Sequence, residues 1–319
     1  MQIPDQAILG SALHWLTEAT APPVWLCTIV AAQGSSPRPP GALLACNGRG
    51  EQVGSLSGGC IEEDLLQRLQ SGVLPVARAE LIEYGVTAEQ NERLGLPCGG
   101  RLQVLVQRLT LERDRSWLRA ALDAIAARRC LRRSVALGSG ATGTAAQEHH
   151  APLRFDGHTL EQTFGPQMRL LLVGAGQLGQ SLAELALAMD YEVLVADPRQ
   201  RMREQWQGPA VPLLGGMPDD AVREHASDRH SIVITLTHDP RIDDMALMEA
   251  LATDAWYVGA LGSRRTTEKR LQRLRQLDIG EDRLRALHAP VGLDIGSKTP
   301  LEIAVAIMAE LVQLRRARQ

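Results

Sequence analysis

The sequence predicts an α/β fold in two parts: a doubly wound parallel sheet in the second half, preceded by an α+β first half. Three observations carry this. In the second half, short apolar runs alternate with helical patterns, which is the rhythm of a parallel sheet with crossover helices. A glycine turn, GAGQLG at 174–179, follows the first of those runs and opens a helix. The 319 residues exceed one domain of about 100–200 residues, and 45% hydrophobic residues suffice for two cores.

The elements follow in order. Residues 5–19 set Ile8, Leu9, Leu13 and Leu16 on one stripe and read as an amphipathic helix. VWLCTIVAA (24–32) reads as a buried strand, GSSPRPPG (34–41) as a loop, and ALLACNG (42–48) as a strand ending in a turn. EQVGSLSGGC (51–60) is a loop or short strand entering a helix at 61–70. AELIEYG (79–85) and RLQVLVQRL (101–109) are strands, separated by a polar stretch that ends in LGLPCGG. A helix covers 111–128. The segment 134–167 is polar and glycine-containing, with a weak strand at 131–137. A domain boundary near 165 divides 1–165 from 166–319. Beyond it, MRLLLVGAG, YEVLVADPR, SIVITLTH (231–238) and AWYVGALGS (255–263) are strands. QLGQSLAELALAMD, 242–252, 266–277 and 300–316 are helices.

Net charge is −3, and no basic stripe points to nucleic acid. Aromatics are only 3%, so aliphatics and alanine must fill the interior. The start, MQIPDQAILGSALHWL, lacks a basic leader, and no run of about 20 apolar residues could span a membrane. The five cysteines are widely spaced, without zinc-knuckle or thioredoxin spacing. The expectation is a cytoplasmic protein with reduced thiols and no membrane partner.

GAGQLG has the context that makes a weak motif credible. Gly174 makes the tight turn, Gly176 lets the backbone approach a pyrophosphate, and Gly179 permits close helix–strand packing. Asp197 ends the next strand about 20 residues on, where a Rossmann dinucleotide fold keeps its ribose-binding carboxylate. Dinucleotide binding does not follow from the fold, whose pocket can hold something else. Arg199 is read as a solvated charge, with a phosphate contact as the alternative. His238 and Asp239 in THDPRID follow a strand at the ligand-binding edge; the alternative is a histidine satisfying its loop. Gly262, Ser263 and Arg264 either cradle an anion or start a basic surface helix. In GLDIGSKTPLEIA (292–304), Ser297 or Thr299 caps a helix that Pro300 begins.

The first half holds two glycine-flanked cysteines, Cys60 after Gly58 and Gly59, and Cys98 before Gly99 and Gly100. A thiol at a helix N-terminus has more thiolate character. With Ser35, Ser36 and Arg38 of GSSPR, these residues form a candidate pocket for a polyanionic, sulfur-bearing ligand. The alternative is that the glycines mark turns and the cysteines are small hydrophobes. Cys27, Cys46 and Cys130 read as structural.

Taken in order, GSSPRPPGA (34–42), GSLSGGCIEE (54–63), LPCGGRLQV (96–104), LLLVGAGQLGQ (170–180), THDPRID, YVGALGSRR (257–265) and GLDIGSKTPLEIAVAI (292–307) resemble the XdhC/CoxI family of molybdenum hydroxylase accessory proteins. Two departures stand out. Ser57 replaces the first of three glycines common before the cysteine, and Gln177 replaces a histidine often found after GAG. The resemblance implies an N-terminal XdhC/CoxI-type domain and a Rossmann-like C-terminal domain. It implies a chaperone rather than a turnover enzyme, one that binds the molybdenum cofactor (molybdopterin), protects it, supports its sulfuration with a cysteine desulfurase and delivers it. The client is apo xanthine dehydrogenase or a related molybdenum hydroxylase, as in purine catabolism. Cys60 is the first choice for a thiolate at the metal and Cys98 the second. A homodimer is expected from base rates. An NAD(P)-dependent oxidoreductase and a cofactor-modifying transferase are the alternatives, and NAD(P) in the Rossmann groove is compatible with the carrier reading.

Overall fold

The computed structural model describes residues 3–33, 38–86 and 101–317, except the side chain of Cys60. The chain divides into two compact units, one running to Pro166 and the other beginning at Gln167.

The first unit begins with helix α1 (Asp5–Thr17) and strand β1 (Val24–Gln33). Strands β2 (Leu43–Asn47) and β3 (Gln52–Gly54), helix α2 (Cys60–Gln70), and strands β4 (Ala79–Tyr84) and β5 (Arg101–Leu109) follow. They make a five-stranded sheet in the order β3-β2-β1-β5-β4, antiparallel throughout. Strand β1 is buried without a break from Val24 to Val30 because both sheet faces are covered. Trp25, Cys27 and Ile29 pack with Ile61, Leu65 and Leu69 of α2, spaced at four residues so that they share one helix face. Val24 and Leu26 point the other way, toward Ile8, Leu9, Ala12 and Leu16 of α1 and toward helix α3 (Leu111–Ala126) through Trp117, Leu118 and Ala121.

The segment 134–167 differs from its sequence reading. It belongs to a four-stranded antiparallel sheet, with β6 (Cys130–Ala136) and β9 (Thr159–Phe164) at its centre and β7 (Thr142–Gln147) and β8 (Arg154–Phe155) at its edges. Its strands are hard to see in the sequence because few of their residues are apolar. Most of β7, TGTAAQ, faces solvent, and β6 buries a charged residue, Arg133, whose guanidinium lies 4.2 Å over the Trp117 ring.

Cys27, Cys46 and Cys130 are all buried, and none is in a disulfide. A hydrogen bond with Cys46, together with burial, pushes the Cys27 thiol well above its ordinary range. Cys27→Ser should therefore destabilise the fold by about 1–3 kcal/mol, because a hydroxyl is costlier to bury than a thiol. Chemical denaturation measures the loss, and ligand binding at 25 °C should not change.

The second unit holds strands β10 (Arg169–Val173), β11 (Glu192–Ala196), β12 (Leu213–Leu214), β13 (Ser231–Thr235), β14 (Tyr257–Ala260) and β15 (Leu287–His288). They form one parallel sheet in the order β12-β11-β10-β13-β14-β15. This is the doubly wound order whose reversal point lies between β10 and β13. The connections carry helices α4 (Gln177–Ala188), α5 (Gln200–Glu204), α6 (Pro218–His225), α7 (Pro240–Ala252), α8 (Arg264–Gln276) and α9 (Glu281–Arg285), and α10 (Pro300–Ala317) closes the chain. Leu170 and Leu172 pack against α4 and α10. Leu171 and Val173 pack against α6 and α7. Helices therefore cover both faces, which is why the central positions of these strands are apolar. Among the described residues no helix is long and apolar enough to cross a membrane.

Candidate functional site: a cleft at the switch point and a Gly-Gly-Cys turn

A cleft of about 660 Å³ opens at the carboxyl ends of β10 and β13. That is the crevice where doubly wound sheets bind ligands, and the volume suits a small-molecule site. Gly174, Gly176 and Gly179 line one wall. Each glycine has its own reason to be there. Gly174 has φ +126°, and a Cβ would lie 3.0 Å from the Thr237 methyl. At Gly179 a Cβ would lie 2.5 Å from the Gly174 carbonyl oxygen. At Gly176 φ is −86° and a Cβ would meet nothing within 4 Å. Gly176 thus satisfies no packing need; the space above it belongs to the cleft.

Asp197 stands at the end of β11, where the sequence places a ribose acceptor. Its side chain is buried and already occupied. Oδ2 accepts from Ala175 N at 2.9 Å and from Arg199 Nη2 at 2.8 Å. Oδ1 accepts from Arg199 N at 3.0 Å and Nε at 2.9 Å. Burial would raise the Asp197 carboxyl, but the bonds from Arg199 and Ala175 hold it below the usual carboxylate range. Arg199, which the sequence presents as a solvated charge, is therefore a bidentate partner that also lines the cleft.

His238 and Asp239 line the opposite wall. Asp239 caps α7 by accepting from Arg241 N, and its carboxylate is forked by Arg241 at 2.8 and 3.0 Å. His238 is exposed and hydrogen-bonds to no described residue. Leu261 reaches the cleft, whereas Gly262, Ser263 and Arg264 do not line it. Ser263 caps α8 by accepting from Thr266 N, and Arg264 lies at the surface 3.6 Å from Asp294. Thr299 and Glu302 form a reciprocal cap at the start of α10, and Lys298 beside them lines the cleft.

Sequence reasoning misses the brace beneath the cleft. Asp243, fully buried on α7, accepts from Thr237 N at 3.2 Å and Thr237 Oγ1 at 2.7 Å. Arg270 of α8 donates to Asp243 at 3.0 Å and to the Leu261 carbonyl at 3.0 Å, tying two cleft walls together. Burial pushes the Asp243 carboxyl up to about 6, against the lowering by Thr237 and Arg270. The available signal is IDD, two acids entering an otherwise apolar helix.

In the first unit, the Gly-Gly-Cys turn wraps a carboxylate. Glu62, two residues into α2 from Cys60, is buried. Its Oε1 accepts from the amides of Leu56, Ser57 and Gly58 and from Ser55 Oγ, at 2.8–3.0 Å. Its Oε2 accepts from Gly59 N at 3.1 Å and from Ser57 Oγ. Burial would raise this acid, yet hydrogen bonds led by Ser57 bring it down to about 2. Gly58 and Gly59 have φ +93° and +152°, which lets successive amides converge on one anion. The amides expected to favour a thiolate therefore serve an internal carboxylate, and α2 begins at Cys60 immediately after them. Ser57, the departure from three glycines, contributes a hydroxyl to the same acid. Arg38 belongs to this unit, and Ser35, Ser36, Cys98, Gly99 and Gly100 lie outside the described residues. Among the described residues no group of three or more His, Cys, Asp or Glu could hold a metal ion.

Fold and cleft define a two-part protein with a Rossmann unit. The model of the XdhC Rossmann domain matches residues 170–311, and that of the XdhC and CoxI family matches 18–85. The chain belongs to the XdhC and CoxI family. It is 29% identical to a Bacillus subtilis (strain 168) protein whose name makes it a probable xanthine dehydrogenase subunit, over 91% of this chain and 93% of that one. It is 26% identical to the Escherichia coli (strain K12) molybdenum cofactor insertion chaperone PaoD, over 91% and 83%. A Bacillus halodurans crystal structure described as a xanthine dehydrogenase superposes with a TM-score of 0.75 at 27% identity, over 99% and 97%.

Proposed function

We propose that this chain is an accessory protein that binds the molybdenum cofactor, protects it, supports its sulfuration and delivers it to an apo molybdenum hydroxylase of the xanthine dehydrogenase type. The observation that carries the reading is the pair of family models, matched in order on the two units. The relative named as a molybdenum cofactor insertion chaperone, alignable over most of the chain, supports it.

The lining of the cleft fits the phosphate of such a ligand. Molybdopterin carries a phosphate and a dithiolene. Open space above Gly176 at the α4 N-terminus suits an anion, with Arg199 and Lys298 as the cations on the cleft wall. Cys60, and after it Cys98, are the thiolates proposed to face the metal. The redox chemistry that the cofactor supplies is exercised in the client, so this chain has to bind, shield and release the cofactor and support its sulfuration. A cysteine desulfurase as sulfur donor, a homodimer and a cytoplasmic location complete the reading. An oxidoreductase would need an oriented acid or base at the cleft. His238 has no partner among the described residues to orient it, and Asp239 is held by Arg241.

The test is cofactor content. The protein, co-expressed with cofactor biosynthesis, should carry pterin (oxidation fluorescence) and molybdenum (elemental analysis). Cys60→Ala should lose most of both while remaining folded. Equal content in the two proteins would remove the thiolate role of Cys60. Bound nicotinamide without pterin would favour the oxidoreductase.

A further inference from the structure

The Asp197–Arg199 pair changes what the cleft can accept. A Rossmann cleft that binds an unphosphorylated ribose keeps a free carboxylate at the end of its second strand to accept from the ribose hydroxyls. Here that carboxylate is inaccessible, and both of its oxygens are engaged, by Ala175 N and by three donors of Arg199. What faces the cleft at this point is the guanidinium, whose side chain is 42% exposed. Arg199 gives Nε and Nη2 to Asp197, and its Nη1 donates to no described residue. A guanidinium fixed on one edge by a carboxylate is already oriented, so less side-chain freedom is lost when its other edge takes a ligand.

The surrounding charges agree. The lining carries two cations, Arg199 and Lys298, and one carboxylate, Asp239, which Arg241 already neutralises. The open turn at Gly176 offers a separate place for a first phosphate.

We infer that the Asp197–Arg199 pair is a specificity device: it withdraws the acceptor for ribose hydroxyls and presents a donor, so that the cleft takes a ligand with a phosphomonoester at the end of β11 and discriminates against one with an unphosphorylated ribose there. The inference uses the same cleft and the same Arg199 that the molybdenum cofactor reading gives to a phosphate, but it is tested without the cofactor. Retention of pterin neither supports nor weakens it.

The test uses NADP+ and NAD+ as probes, because they differ only in a ribose 2′-phosphate. Titration calorimetry on the full chain should find NADP+ bound at least about tenfold more tightly. Arg199→Leu should abolish that ratio or invert it, since Asp197 is then released to the ribose hydroxyls. Asp197→Asn guards against a folding artefact: it keeps the guanidinium and an oxygen for Ala175 N, and should retain the preference for NADP+. The ratio should shrink as salt rises, because it rests on charge. Equal affinities in the unmodified protein, binding of neither probe, or an unchanged ratio in Arg199→Leu would overturn the assignment.

Discussion

Gly176→Val should remove anion binding at the cleft while leaving the protein folded. A Cβ here meets no neighbour within 4 Å, and φ −86° with ψ −176° is ordinary extended backbone for a β-branched residue. Its cost to stability should stay within about 1 kcal/mol, the scale of losing a good helix N-cap. Its isopropyl group fills the approach to the α4 amides, so NADP+ affinity should fall by tenfold or more, about 1.4 kcal/mol or greater. Gly179→Val is the contrast. Its Cβ would collide with the Gly174 carbonyl oxygen at 2.5 Å, so it should lose stability and binding together. Calorimetric titration beside chemical denaturation separates the two. If Gly176→Val binds NADP+ as the unmodified protein does, the turn has only a structural role.

The same contrast tells how far the sequence can be read. The glycine motif announces the fold because packing requirements fall at fixed spacing, met at Gly174 and Gly179, with open space at Gly176 between them. The strands of the parallel sheet are legible because burial on both faces leaves runs that are mostly apolar. The antiparallel sheet at 130–164 is not, since its outer strands are polar and exposed. Residue identity also does not reveal whether an acid is free. Asp197 sits where a ribose carboxylate belongs, yet Arg199 two positions on saturates it. Asp243 and Arg270 are 27 residues apart on different helices, and only the fold brings them within 3.0 Å. At the GGC turn the sequence suggests glycines that expose a thiol. Their immediate task is to fold five residues around Glu62, an acid easily taken for one of several surface charges at a helix start.

Glu62→Ala should therefore be among the most damaging single changes in the first unit. It removes the acceptor of the Leu56, Ser57, Gly58 and Gly59 amides and of two serine hydroxyls at once. A buried donor left without a partner costs about 1–3 kcal/mol. Water will reach some of these donors once the turn loosens, so the losses will not simply add. A total of about 3 kcal/mol or more is expected, against a typical domain stability of about 5–15 kcal/mol. Glu62→Gln should cost less. Its amide oxygen can keep the place of Oε1, which takes most of the donors. The Ser57 hydroxyl can turn to accept from the new NH2, and Gly59 N is left as the main loss. Glu63→Ala, one residue on and exposed, should lie within about 0.5 kcal/mol of the unmodified protein. Urea denaturation of the three variants tests this order. Equal stabilities for Glu62→Ala and Glu63→Ala would show that the turn holds without its internal anion. If the order holds, Glu62→Gln becomes a probe of function, because it loosens the backbone that leads into Cys60 while leaving the cysteine in place. Pterin retention that falls in Glu62→Gln as well as in Cys60→Ala would tie cofactor binding to the shape of that turn, and retention lost only in Cys60→Ala would tie it to the sulfur alone.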